Sequence, residues 1–154
     1  MPRLADALYQ IALTGWIGGL WCIGYMVAPT LFSLLSDNRA LAGAIAGRLF
    51  ALIGWIGLAC ASYLLPYLVL RLRSVALRRW YFWLLVLLTL LTAVSLFGIQ
   101  PLLAQLKADA WPREVMESVL RNRFVTWHGI SSGLYLLQSV LGLLLVSGLL
   151  RSGR

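Results

Sequence analysis

Hydrophobic residues fall into four long runs, residues 8–35, 49–70, 80–99 and 124–150, and the polar residues gather between them. A helix needs about 20 apolar residues to cross the hydrocarbon of a bilayer, and each run reaches that length. Within lipid, every backbone N–H and C=O must be satisfied inside its own segment, so such runs read as α-helices. The pattern predicts an all-α, polytopic membrane protein. It forms one domain over residues 1–154, a four-transmembrane-helix bundle with spans at approximately 6–35, 39–72, 77–103 and 122–150. The first run exceeds the roughly 7–15 residues of a signal-peptide core, and no small-x-small cleavage site follows it. It is expected to persist as the first span.

Local signals mark the ends of the runs. Asp6 is placed to cap the first helix, and residues 36–39 (Ser-Asp-Asn-Arg) form a tight turn. Pro29 and Pro101 fall near the ends of the first and third spans, where a missing N–H predicts a kink. In the third connection, Trp111, Pro112, Arg113 and Glu114 read as the start of a short interfacial helix. Trp80, Tyr81 and Trp83 make an aromatic belt at one boundary.

Composition agrees with lipid as the main solvent. Only 12% of residues are charged and 61% are hydrophobic, against about 25% charged in soluble domains. The net charge of +8 does not point to nucleic acid, because the basic residues flank the spans instead of forming one patch. Arg71, Arg73, Arg78 and Arg79 crowd the connection between the second and third spans, which contains no acid. The positive-inside rule puts that connection, and with it both termini, in the cytoplasm. The expected location is therefore the cytoplasmic (inner) membrane. Cys22 and Cys60 both lie in spans and read as small hydrophobes.

Three glycine pairs recur at four-residue spacing: Gly15 and Gly19, Gly43 and Gly47, Gly129 and Gly133. Two glycines four apart share a helix face and let another backbone come close. They are expected to form packing seams, within the bundle or against a second copy or another membrane protein.

The fourth span carries His128, Ser131, Ser132, Tyr135, Gln138 and Ser139. Spacings of three and four place them on one face, with Leu134, Leu137, Leu141 and Leu145 turned to lipid. Polar groups in a span normally face the bundle interior. His128, the single histidine, is expected to face inward within reach of Arg48 on the second span. The candidate polar site is His128, Arg48, Gln100, Ser131, Ser132 and Tyr135, with Arg121 and Arg123 just above it. The other reading of these groups is that the arginines snorkel to headgroups and His128 bonds a backbone carbonyl.

Some chemistry is missing from the sequence. No carboxylate lies deep in a span, as a proton or cation relay would require. One histidine, two separated cysteines and three methionines make no transition-metal site, so neither metal nor other cofactor is expected. No nucleophile, histidine and acid have triad spacing, and no catalytic residue is assigned. The chain reads as a non-enzymatic protein.

Several segments in order resemble the transmembrane-protein-205-like family of small four-span proteins. They are Trp16 to Gly18, Ala28-Pro29 with Phe32, Ala42 to Phe50, Gln100-Pro101, and Phe124-x-x-x-His128-Gly129-x-Ser131. The resemblance implies four helices with these motifs gathered at one end, and brings no established activity. A looser similarity to copper-resistance inner-membrane proteins and membrane protoporphyrinogen oxidase stops at the shortage of histidine and methionine. The expected function is to bind or pass a small solute, an anion or a lipid headgroup at the outer half of the bundle. The alternative is a structural or assembly subunit packed against a larger membrane complex.

Overall fold

The structure, a computed structural model, describes the backbone of residues 2–110 and 118–152 and the side chains of residues 4–73, 75–106 and 122–148. The described residues are helical apart from short connections, with no strand among them. The first span is α1 (Pro2–Cys22), a π turn (Ile23–Val27) and α2 (Ala28–Leu34). A 3₁₀ turn (Ser36–Asn38) leads into the second span, α3 (Arg39–Leu72). A second 3₁₀ turn (Arg73–Arg78) leads into the third, made of α4 (Trp80–Val94), a π turn (Ser95–Ile99) and α5 (Gln100–Ala110). The fourth is α6 (Ser118–Ser152). The segments long and apolar enough to cross a bilayer are Leu4–Leu34, Ser36–Leu72, Trp80–Leu106 and Asn122–Gly148. The chain is thus a multi-pass, four-helix membrane bundle.

Local chemistry explains several boundaries. The Asn38 side chain accepts from the Leu41 N–H at 3.1 Å and caps α3. Asp6 does not cap α1, which starts at Pro2 and runs through it. Its carboxylate instead pairs with Arg71 at the far end of α3 and accepts from the Tyr67 hydroxyl. The helix before Pro29 and Pro101 widens into π turns. The Ala28 N–H reaches back to the Ile23 carbonyl, and the Gln100 N–H to Ser95. A proline ring collides with the carbonyl four residues back, and a wider turn relieves that clash. The third span runs on past Pro101 to Ala110. Trp111, Pro112, Arg113 and Glu114, read as a helix start, lie outside the described residues.

The spans close a four-sided bundle. α1 packs against α3 and α6, and α4 packs against the same two helices. The main core lies in the half nearest the Arg73–Arg78 turn, where Trp16, Leu64, Leu85, Leu88 and Leu145 are fully buried. Since lipid is as apolar as leucine, this core holds by close contact more than by exclusion of water. Leu141 and Leu145, expected to face lipid, are inside it. They share a face with Gln138 and Gly148 at spacings of three and four, and that face meets the bundle.

The glycines that allow close approach differ from the expected pairs. A Cβ on Gly57 would lie 2.7 Å from Cε2 of Trp16, one on Gly142 2.7 Å from Cδ1 of Ile17, and one on Gly19 2.7 Å from Cδ1 of Ile53. Of the expected seam residues, Gly19 shows such an approach. Gly15, Gly47, Gly129 and Gly133 have nothing within 4 Å of a built Cβ, and Gly43 is half-buried. At Gly15, Gly129 and Gly133 the backbone is exposed, because the neighbouring span stands on another side of the helix.

Candidate functional site

The contact between α1 and α6 is built around one tyrosine. The Tyr135 hydroxyl donates to the Leu20 carbonyl, and its ring lies against Gly24 in the first π turn. A Cβ there would come within 2.9 Å of Cζ, so glycine is what lets the ring in. Phe50 meets the same ring edge-on at 5.0 Å, and Tyr25 at 6.4 Å. One turn further along α6, the Trp21 indole N–H donates to the Ser139 carbonyl at 3.4 Å. Ser139 and Gln138 are buried, and the Gln138 amide nitrogen has no partner among the described residues.

One heptad earlier the same face of α6 is uncovered. His128 and Ser132 precede Tyr135 and Ser139 by seven residues, so they point nearly the same way. Both are exposed. The Ser132 hydroxyl donates to the His128 carbonyl at 2.9 Å, and the imidazole stacks on Phe124 at 5.7 Å with rings 10° apart. From Asn122 to Leu137 no residue of α6 is buried, whereas burial begins at Gln138 and recurs to Gly148. Past its π turn, the first span continues as α2 packed on α3.

The expected site is therefore only partly assembled. Tyr135 is half-buried and engaged, Ser131 is half-buried, and Gln100 is half-buried with its N–H in the second π turn. His128, Ser132 and Arg48 are exposed. No hydrogen bond joins His128 to Arg48 among the described residues. Contrary to the expectation that it faces the interior, the His128 side chain is exposed, one heptad before the half-buried Tyr135. The side chain of Arg121 lies outside the described residues, and Arg123 is exposed.

What α6 presents instead is a continuous bare strip. Val125 (61% exposed), Gly129, Ser132 and Leu136 (58% exposed) follow at spacings of four, three and four, with His128 and Gly133 at its edges. Its middle is small and one rim is polar, and the exposed surface continues round the helix to Thr126, Ile130 and Leu137.

A second polar group sits at the opposite end of the bundle, and sequence reading missed it. The Arg71 guanidinium donates to the Tyr67 hydroxyl at 2.8 Å and pairs with Asp6. Tyr9 stacks near Tyr67 at 4.9 Å, and the Tyr63 hydroxyl donates to the Ala5 carbonyl at 3.1 Å. Its one available signal was an acid and a basic residue at matching ends of adjacent antiparallel spans.

Two shallow depressions between the helices lie away from the expected site. One, of about 200 Å³, lies between α1 and α6 beside Gly18 and Leu143. The other, of about 340 Å³, lies between α3 and α4 beside Pro66 and Thr89. Among the described residues no group of three or more histidines, cysteines or acids is placed to hold a metal ion.

These features define a small helical membrane protein with a core packed at one end and an exposed, partly polar face on α6. The chain belongs to the domain-of-unknown-function family DUF4149, whose sequence profile matches residues 11–112, from within the first span to the end of the third and just beyond. No curated protein and no solved structure matches the chain.

Proposed function

We propose that this protein is a non-enzymatic, membrane-embedded assembly subunit. Its uncovered α6 strip packs against the same strip of a second copy. The observation that carries this reading is the heptad step from Tyr135 and Ser139, covered by α1, to His128 and Ser132, which are exposed. Polar side chains within a span are normally turned toward protein. A face that carries His128 and Ser132 beside Gly129 and Gly133 is suited to another helix more than to acyl chains. Two small residues four apart let two copies of one helix approach about a two-fold axis, with polar groups bonding across the contact.

The earlier expectation of a passing solute finds less support. The core half of the bundle is filled by Trp16, Leu64, Leu85, Leu88 and Leu145. The basic charge of the Arg73–Arg78 turn supports the proposal that it and both termini lie on the cytoplasmic side of the inner membrane. The transmembrane-protein-205-like reading rests on the quoted motifs, and one of them, Phe124 to Ser131, overlaps the α6 strip at Val125, His128 and Gly129.

Native mass spectrometry in mild detergent tests the proposal. The expected spectrum shows a dimer that is lost in Gly133→Leu and weakened in His128→Ala. Nothing lies within 4 Å of a Cβ at Gly133, so the larger side chain leaves the monomer fold intact. A wild-type chain that is monomeric under the gentlest extraction contradicts the reading.

A further inference from the structure

The turn between the second and third spans holds more positive charge than its neighbours can neutralise. Arg71 is matched: it pairs with Asp6 and caps the negative end of α3. Arg73, Arg78 and Arg79 are exposed and have no ion-pair partner among the described residues. No acid stands in the first turn of α4, so the positive end of that helix adds to the same field.

The turn is also held in shape. Ala76 is 1% exposed and anchors it in the core. The Arg79 N–H donates to the Ala76 carbonyl at 3.1 Å, and the Trp83 indole N–H donates to the Leu77 carbonyl at 2.9 Å. Arg73 takes φ 48°, a conformation that side-chain-bearing residues rarely adopt. Around these arginines, Val75, Leu77, Trp80 and Trp83 are each 45–59% exposed. A rigid turn with three unmatched guanidinium groups set among outward apolar and indole side chains matches the boundary between headgroups and acyl chains. Guanidinium groups bind phosphate oxygens in a fork, and the apolar rim needs an acyl partner that a soluble anion lacks.

We propose that the Arg73–Arg79 turn is a docking site for the headgroup of an anionic phospholipid. Each arginine near an anionic surface contributes roughly a five-fold enrichment. Loss of all three should therefore abolish selectivity, not merely reduce it.

The test uses the full chain in phosphatidylcholine vesicles containing a small fraction of brominated phosphatidylglycerol or, in parallel, brominated phosphatidylcholine. With Trp21, Trp55, Trp111 and Trp127 replaced by phenylalanine and the buried Trp16 as a constant background, tryptophan quenching reports which lipid gathers beside Trp80 and Trp83. The expected result is stronger quenching by the glycerol lipid, lost in Arg73→Gln/Arg78→Gln/Arg79→Gln and retained when all three are lysine. A control with the same charge change at the other end, Arg39→Gln/Arg48→Gln/Arg123→Gln, should keep the preference. Equal quenching of the wild type by both lipids overturns the proposal. So does a preference that survives in the first triple variant or falls as far in the control, since that would be a net-charge effect. A preference removed by inorganic phosphate, but not by chloride at equal ionic strength, assigns the turn to a soluble anion and overturns it as well.

Discussion

Replacing Gly57 with alanine adds one methyl group at the tightest point of the first and second spans. The new Cβ would stand 2.7 Å from Cε2 of Trp16, closer than real Cβ contacts come. Trp16 is only 1% exposed, so its indole has no free space to enter. Overpacking of this kind costs about 1–3 kcal/mol. Alanine returns about 0.5–1 kcal/mol of helix preference over glycine. With a fully buried ring as the neighbour, the upper part of the first range applies, and the net loss is about 2 kcal/mol. Gly15→Ala is the matched comparison, because nothing lies within 4 Å of its Cβ. It keeps only the helix term and should be neutral or stabilising by up to about 1 kcal/mol. Reversible unfolding in mixed micelles, followed by far-UV circular dichroism under conditions that keep the chain monomeric, measures both. If Gly57→Ala matches the wild type while Gly15→Ala loses 1 kcal/mol or more, the packing seam would run through the Gly15 and Gly19 pair, and the helix arrangement argued above is wrong.

Other variants probe single contacts. Tyr135→Phe deletes the bond to the Leu20 carbonyl, and should lower stability by about 0.6 kcal/mol and by no more than about 1.7, in the range of hydrogen bonds between membrane helices. Gly24→Ala should cost more than Tyr135→Phe in the same assay, since it displaces the ring as well as the bond. Arg73→Gly relieves a positive φ and should stabilise the monomer by about 1 kcal/mol in neutral detergent, read as a shifted unfolding midpoint. Asp6→Asn breaks an ion pair whose side chains are 38% and 53% exposed, so its effect should stay under about 1 kcal/mol and shrink with added salt.

The spans were legible in the sequence because length and apolarity alone decide whether a helix can cross a bilayer. Pro29 and Pro101 were legible as disturbances, but their form was not: whether a helix kinks or widens depends on what its freed carbonyls meet. Asp6 looked like a cap because local sequence offers only local partners. Its partner Arg71 becomes visible only once α1 and α3 are set side by side. The polar stripe of α6 shows the same limit most clearly. Spacing told correctly that His128, Ser132, Tyr135 and Ser139 share a face. It could not tell that the face is covered at Tyr135 and Ser139 and bare at His128 and Ser132, because cover belongs to the neighbouring span. That Gly19 meets a neighbouring span while Gly15, Gly129 and Gly133 do not has a related reason. A small residue permits close approach, and only the arrangement of helices decides on which side a neighbour stands.

Cysteine cross-linking in native membranes tests the central claim most directly. With Cys22 and Cys60 replaced by alanine, Ser132→Cys should form a disulfide-linked dimer, since its position on a two-fold contact brings two Cα atoms within roughly the 7 Å that a disulfide spans. Leu144→Cys, exposed on a different side of α6, should stay monomeric. A Ser132→Cys chain that remains monomeric, or cross-links no better than Leu144→Cys, would contradict the assignment of the bare α6 strip as the interface between copies.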